Sequence, residues 1–299
     1  MTSTLAVVTV TYSPGEHLRR FLETLEEATD WPTEVIMADN GSTDGSPEAA
    51  ELEFPNTRLL RTGANIGYGA AINRAVAEVD PTAEFIVVAN PDVRWGVGAI
   101  DEMLEAAQRW PRAGSFGPIV REPDGSLYPS ARELPTVLGG IGHAVLGTVW
   151  PSNPWTREYL QETEMVSERP VGWLSGSCLL LRRTAFDSIG GFDSRYFMYM
   201  EDVDLGDRLG NAGWQNVYVP SAEVTHAKGH AAGKHPELML PAHHQSAYRF
   251  QADRHPKWWQ APLRGALWSG LTVRSKISVA VATRARDKAA RLGSTGESA

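Results

Sequence analysis

The first third of the chain alternates two hydrophobic periods. Leu5-Ala-Val-Val-Thr-Val-Thr11 is β-branched and almost wholly apolar, the pattern of a strand buried on both faces of a sheet. Pro14 opens a helical segment with Leu18, Phe21, Leu22 and Leu25 at i, i+3, i+4, i+7, closed by Trp31-Pro32. Glu34-Val-Ile-Met-Ala38 predicts a second strand, Gly41-Ser-Thr-Asp-Gly45 its turn, and a short helix follows from Pro47. A third strand is expected at Thr57-Arg-Leu-Leu60, a helix from Gly67 to Val79 ended by Asp80-Pro81, and a fourth strand at Phe85-Ile-Val-Val-Ala89. Strands alternating with helices imply a mostly parallel sheet covered on both faces.

Residues 111–169 break this rhythm. They are rich in Pro and Gly, carry Trp150, Trp155 and Tyr159, and predict loops and short elements around a pocket. Periodicity then returns: Gly176 to Arg182 as a strand, Asp202 to Ala212 as a helix before Gly213, and Gln215 to Val219 as a last strand before Pro220.

Composition narrows the class. The 299 residues are 42% hydrophobic and 21% charged, enough for one large α/β domain with an appendage. The single cysteine, Cys178, excludes an intrachain disulfide and a Cys-rich zinc site and suits a reducing cytosol. The stretch Leu5 to Val10 is too short for a signal-peptide core, and no run approaches a membrane span, so an intracellular protein is expected. The net charge of −8 is uneven: nine Lys or Arg and two acids from Arg254 onward give a tail of +7 and a body of −15. An acidic body argues against nucleic-acid binding. The cationic tail, with Trp258, Trp259 and Trp268, suits a helix lying on an anionic membrane surface; packing on the body or a homodimer contact are the alternatives.

Polar residues recur where the strands end: Thr11-Tyr12, Asp39-Asn40, Asn65 and Asn90-Pro91-Asp92. Each alone reads as a turn former. Together they mark a crevice at the carboxyl edge of the sheet, where open α/β sheets bind ligands. The first turn, Tyr12-Ser-Pro-Gly-Glu16, has neither G-x-G-x-x-G nor a P-loop, so any phosphate must be neutralised otherwise. A divalent cation on Asp92 would serve; a plain Asx turn is the competing reading. Glu201 and Asp202 follow the aromatic run Tyr196, Phe197, Tyr199 and open a helix. They are either helix-capping acids or a base held against an apolar wall. His226 offers a metal or phosphate ligand, or a structural imidazole.

In order along residues 5–230, Val8-Thr-Val-Thr-Tyr12, Ala38-Asp-Asn-Gly-Ser-Thr-Asp-Gly45, Asn65-Ile-Gly-Tyr-Gly69, Asn90-Pro-Asp92, Gly176-Ser-Cys178, Gly191-Phe-Asp193, Met200-Glu-Asp-Val-Asp-Leu205 and His226 resemble the family 2 inverting glycosyltransferases of the GT-A fold, and among them the rhamnosyltransferases. The resemblance implies a GT-A catalytic domain over residues 1–253 and a helical extension over 254–299. It implies a nucleotide-sugar donor, dTDP-L-rhamnose, held by Thr11, Tyr12, Asp39, Asn65, Asn90 and Asp92. It implies Mn²⁺ or Mg²⁺ on Asp92 and His226, and Asp202 as the catalytic base. Trp173, Leu174, Ser175, Gly176 and Glu201 would border an N-acetylglucosaminyl-diphosphoryl-polyprenol acceptor in the synthesis of the cell-wall linker to arabinogalactan. Such an enzyme would sit peripherally at the inner face of the cell membrane. Asn90 stands where the commoner Asp-x-Asp metal motif has its first acid, leaving fewer charges on the ion. Rival readings are a family 2 transferase for another nucleotide sugar, a nucleotide-sugar pyrophosphorylase, which needs a basic Gly-rich loop that Ser13-Pro14-Gly15-Glu16 lacks, and a non-catalytic nucleotide-sugar-binding protein.

Overall fold

A computed structural model describes residues 4–136, 167–227 and 236–295. Trp150, Trp155 and Tyr159 lie outside the described residues. The chain divides into two compact units, one of Met1–Arg195 with Glu201–Lys228, the other of Tyr196–Met200 with Gly229–Ala299.

The first unit is built on a ten-stranded mixed sheet. Its spine runs β3 (Thr57–Arg61), β2 (Thr33–Asp39), β1 (Leu5–Thr11), β4 (Phe85–Ala89), β11 (Cys178–Arg182), β6 (Ala113–Arg121), β12 (Gln215–His226) and β5 (Val93–Trp95). The first four are parallel, as the alternating pattern requires; β11 runs antiparallel to both β4 and β6. Short strands β7 (Leu127–Tyr128) and β9 (Arg169–Val171) flank β6 and β12. A separate ribbon pairs β8 (Ala131–Arg132) with β10 (Trp173–Leu174).

Successive residues of β1 feed two cores, one on each face of the sheet. Leu5 and Val7 join α1 (Glu16–Leu25) and α4 (Ala99–Arg109). Ala6 and Val8 join α3 (Tyr68–Val76), α5 (Arg183–Ser188) and α6 (Glu201–Asn211). Each fully buried Val or Leu contributes roughly 1.5–3 kcal/mol, which fixes the register of every central strand, because a one-residue slip would exchange the two cores. Helix α2 (Ser46–Glu53) closes the edge near β3.

Two expectations fail for one reason. Residues 113–121, expected as loop, form a long strand, and β12 runs on through Pro220 to His226. Pro118 pairs with Val219, and the ladder shifts register between Val219 and Glu223. The prolines that signalled breaks sit at this irregularity, where a missing N–H is tolerated. Helix α4 was not foreseen either.

In the second unit, α7 (Pro236–Arg254) and α8 (Ala261–Thr295) flank a 3₁₀ turn at Trp258–Gln260. The domain boundary expected at residue 254 coincides with the end of α7, inside this unit. Among the described residues no helix is long and apolar enough to cross a membrane.

Candidate active site

The carboxyl edge of β1 and β2 comes first. The Thr11 hydroxyl donates to Asp39 Oδ1 at 2.9 Å, and the N–H of Ser42 donates to the same oxygen at 3.0 Å. The Gly41 N–H reaches Asp39 Oδ2 at 3.3 Å, and Arg61 lies 3.7 Å from it. Asp39 is therefore buried and shapes its own loop. The Asn65 side-chain oxygen accepts from Asn40 and from the Gly67 N–H, and Tyr12 stands exposed at the rim.

Two strands along, β4 ends at Asn90-Pro91-Asp92. In a parallel sheet this lies about 10 Å from Asp39, a span suited to an extended ligand. Strand β5 returns antiparallel to β12, pairing Val93 with His226. That register brings His226 Nε2 to 3.0 Å from Asp92 Oδ1 and 3.3 Å from Asn90 Nδ2. The pair, 134 residues apart in sequence, is half-buried. Among the described residues no cluster of three or more metal-ligating side chains exists. One carboxylate and one imidazole are donors that a divalent ion accepts, and Asp92 and His226 would hold such an ion only in part.

The third part is α6. The Asn90 N–H donates to Ser177 O at 2.9 Å, tying the end of β4 to the turn before β11. In that turn the Gly176 N–H donates to Asp202 Oδ2 at 3.0 Å, while the N–H of Val203 donates to Asp202 Oδ1 at 2.8 Å. A Cβ on residue 176 would lie 3.3 Å from Asp202 Cβ, so glycine admits this contact. The Tyr68 hydroxyl donates to Gly176 O at 2.6 Å. Burial raises its pKa well above the usual phenol value, and Glu201, Asp202 and Asp92 add to the effect. One phenol therefore feels the carboxylates of both the β4 end and α6, which lie on one edge of the sheet.

Glu201 and Asp202 are neighbours with different fates. Burial, reinforced by the charge of Asp202, pushes the Glu201 carboxyl up, and its Oε2 is buried without a hydrogen-bond partner among the described residues. Burial also raises Asp202, but the backbone N–H groups of Gly176, Val203 and Asp202 itself, and after them the field of Arg132, oppose that rise. The adjacent carboxyls thus sit in unlike environments: burial disfavours the charge of both, but Asp202 alone accepts hydrogen bonds from Gly176 and Val203 that favour its charged form. Tyr199 and Met200, just before them, both have φ of 67°. Non-glycine residues there cost about 1–2 kcal/mol each, strain that accompanies functional turns.

Other expected residues have plainer places. Leu174 is core, and Ser175 is buried with its hydroxyl 3.1 Å from that of Ser177. Trp173 is half-buried on the β8–β10 ribbon. Asp204 pairs with Arg208 at 2.6 Å, and Arg208 also holds Ile189 O and Gly191 O, so Asp204 is structural. Sequence reasoning missed Tyr68, although it lies in the Asn65–Gly69 motif, and Arg132, which sits in the stretch read as loop.

The family model described as glycosyl transferase family 2 matches residues 6–190. The chain belongs to that family. It is a glycosyltransferase, and its sheet and flanking helices are those of the GT-A fold. As a family 2 member it is 60% identical over 288 residues to the N-acetylglucosaminyl-diphospho-decaprenol L-rhamnosyltransferase of Mycobacterium tuberculosis, covering 93% of this chain and 94% of the relative. Rhamnosyltransferase WbbL of Escherichia coli is 26% identical over 83% of this chain and 92% of its own length. Among solved structures, the mannosyltransferase PcManGT of Pyrobaculum calidifontis, in complex with GDP-Man and Mn²⁺, superposes with a TM-score of 0.57 at 18% identity, over 98% of this chain and 79% of that one.

Proposed function

We propose that this family 2 enzyme transfers L-rhamnose from dTDP-L-rhamnose to an N-acetylglucosaminyl-diphosphoryl-polyprenol in cell-wall linker synthesis, with inversion at the anomeric carbon. The observation that carries the reading is the carboxylate of Asp202, held by Gly176 and Val203 on the edge that also carries Asp92 and His226. The 60% identity to the mycobacterial rhamnosyltransferase supports the choice of sugar and acceptor.

Thr11, Tyr12, Asp39 and Asn65 bind the donor nucleotide, and Asn90 and Asp92 meet its diphosphate. Asp92 and His226 hold Mn²⁺ or Mg²⁺, which when bound offsets charge on the departing diphosphate. Asp202 takes the proton of the acceptor hydroxyl. The acceptor oxygen bonds to the anomeric carbon from the face opposite the nucleoside diphosphate, and the bond from that carbon to the diphosphate oxygen breaks. Glu201, protonated, borders the acceptor with Trp173 and Gly176, and the buried Leu174 and Ser175 back that wall from behind. The test is a screen of nucleotide sugars, with and without Mn²⁺, against a lipid-diphosphate acceptor, following released nucleoside diphosphate. Turnover confined to dTDP-L-rhamnose is expected; preference for another sugar would overturn the donor assignment.

The extension supplies a second part of the reading. Val273, Ile277 and Val281, at i, i+4, i+8 on α8, are each more than half exposed, as are Trp258, Trp259 and Trp268. With Arg274, Lys276 and Arg284 beside them, they suit docking of this helix on an anionic membrane, at the cytoplasmic face where a polyprenyl-linked acceptor resides. A homodimer contact through the same face is the competing outcome, which sedimentation without vesicles would reveal.

A further inference from the structure

The search for chemistry outside these groups leads to the β8–β10 ribbon. Arg132 stands opposite Trp173 in its antiparallel register, and the next pair is Ala131 with Leu174. The Ser175 N–H then donates to Ser130 O at 2.7 Å, and the following residue is Gly176, which holds Asp202. The ribbon thus leads from the catalytic carboxylate directly to a guanidinium.

That guanidinium is built in. Its Nε donates to Pro129 O at 2.8 Å. Its Cζ lies 5.6 Å from the ring centroid of Tyr128 and 5.6 Å from that of Trp173. The Trp173 ring is fixed in turn, because its Nε1–H donates to Glu133 O at 3.1 Å. An arginine stacked on aromatic faces and tethered at Nε is preorganised for a planar, bidentate partner in the guanidinium plane, the geometry of phosphate recognition. Its placement also runs against a purely structural purpose. A cation near a general base draws down the base's proton affinity, and Arg132 does so to Asp202. An anion brought by the substrate would offset that effect.

We propose that Arg132, framed by Tyr128 and Trp173, is an anion subsite that binds the diphosphate of the acceptor and so sets which acceptors Asp202 can deprotonate. This rests on the reading of Asp202 as the acceptor-side base. It makes the enzyme selective for sugars carrying a phosphate group at the end remote from the attacked hydroxyl. The subsite is separate from Asp92 and His226, which serve the donor.

The experiment compares wild type, Arg132→Lys and Arg132→Gln on two acceptors: N-acetylglucosaminyl-diphosphoryl-farnesol and a neutral alkyl N-acetylglucosaminide. Acceptor kcat/KM and donor KM are measured by dTDP release, and binding of the diphosphoryl acceptor by calorimetry. The Gln variant should lose about 10–100-fold in kcat/KM on the diphosphoryl acceptor, as expected for a lost charge-assisted pair. Its loss on the neutral acceptor should be at least about tenfold smaller, its donor KM should stay within about twofold of wild type, and Lys should restore part of the loss. Equal losses on both acceptors would mark Arg132 as merely structural and overturn the proposal, as would unchanged kinetics. If wild type binds the diphosphoryl acceptor in an Arg132-dependent way yet turns over no donor, the subsite stands and the proposed activity falls. If wild type does not bind it, the subsite falls.

Discussion

Replacing Glu201 by Gln isolates the buried carboxyl pair. Glu201 is 8% exposed, its Oε2 has no hydrogen-bond partner among the described residues, and burial followed by the charge of Asp202 raises its pKa from 4.5 to about 8. Between those values the folded chain retains a proton that the unfolded chain has released. The native state therefore binds more protons than the unfolded state, and stability must fall as pH rises through that window. Below the lower value both states are protonated and the dependence vanishes. One retained proton corresponds to a slope of about 1.4 kcal/mol per pH unit, so wild type should lose up to about 3 kcal/mol between about pH 5.5 and 7.5 from this group. Glutamine has nearly the same shape and no proton to lose. The variant should lack this slope and gain on wild type as pH rises. Urea unfolding of both proteins at three pH values across the window measures the difference directly. Parallel stability–pH curves would show that Glu201 is ionised in the folded protein and would refute the division of roles between Glu201 and Asp202.

Asp202→Asn should lower turnover by about 10²–10⁴-fold while donor affinity by calorimetry stays near wild type; near-normal turnover would remove the base assignment. Asp92→Ala should abolish the gain in donor affinity that Mn²⁺ provides, and an unchanged calorimetric response to the metal would count against that ligand. Gly206 packs against β10 so closely that a Cβ would lie 2.7 Å from Trp173 Cβ and 3.0 Å from Gly172 O. Gly206→Ala should therefore cost about 1–3 kcal/mol in thermal or urea unfolding, and a neutral result would contradict that packing. Ile277→Glu, on the exposed face of α8, should reduce sedimentation with anionic vesicles without lowering the melting temperature; undiminished vesicle binding would remove the membrane-docking face.

The sequence by itself determined the frame. A parallel strand buried on both faces must be apolar throughout, so β1, β2 and β4 announced themselves, and polar chemistry had to fall at their ends, where Thr11, Asp39 and Asp92 were found. Tertiary structure decided what local pattern cannot encode. The strand containing Pro118 and the run of β12 through Pro220 exist because their neighbours supply a register shift that spares the missing N–H groups. Asp92 and His226 meet only because β5 folds back along β12. Glu201 and Asp202 look alike in sequence; the backbone of Gly176, brought to α6 by the end of β10, makes one of them the better-stabilised charge. Arg132 lies in a segment with no period at all, and its meaning comes from the rings and carboxylate around it. Hydrophobic period is a local property and survives in the chain, whereas electrostatic environment is a sum over neighbours that only the folded molecule assembles.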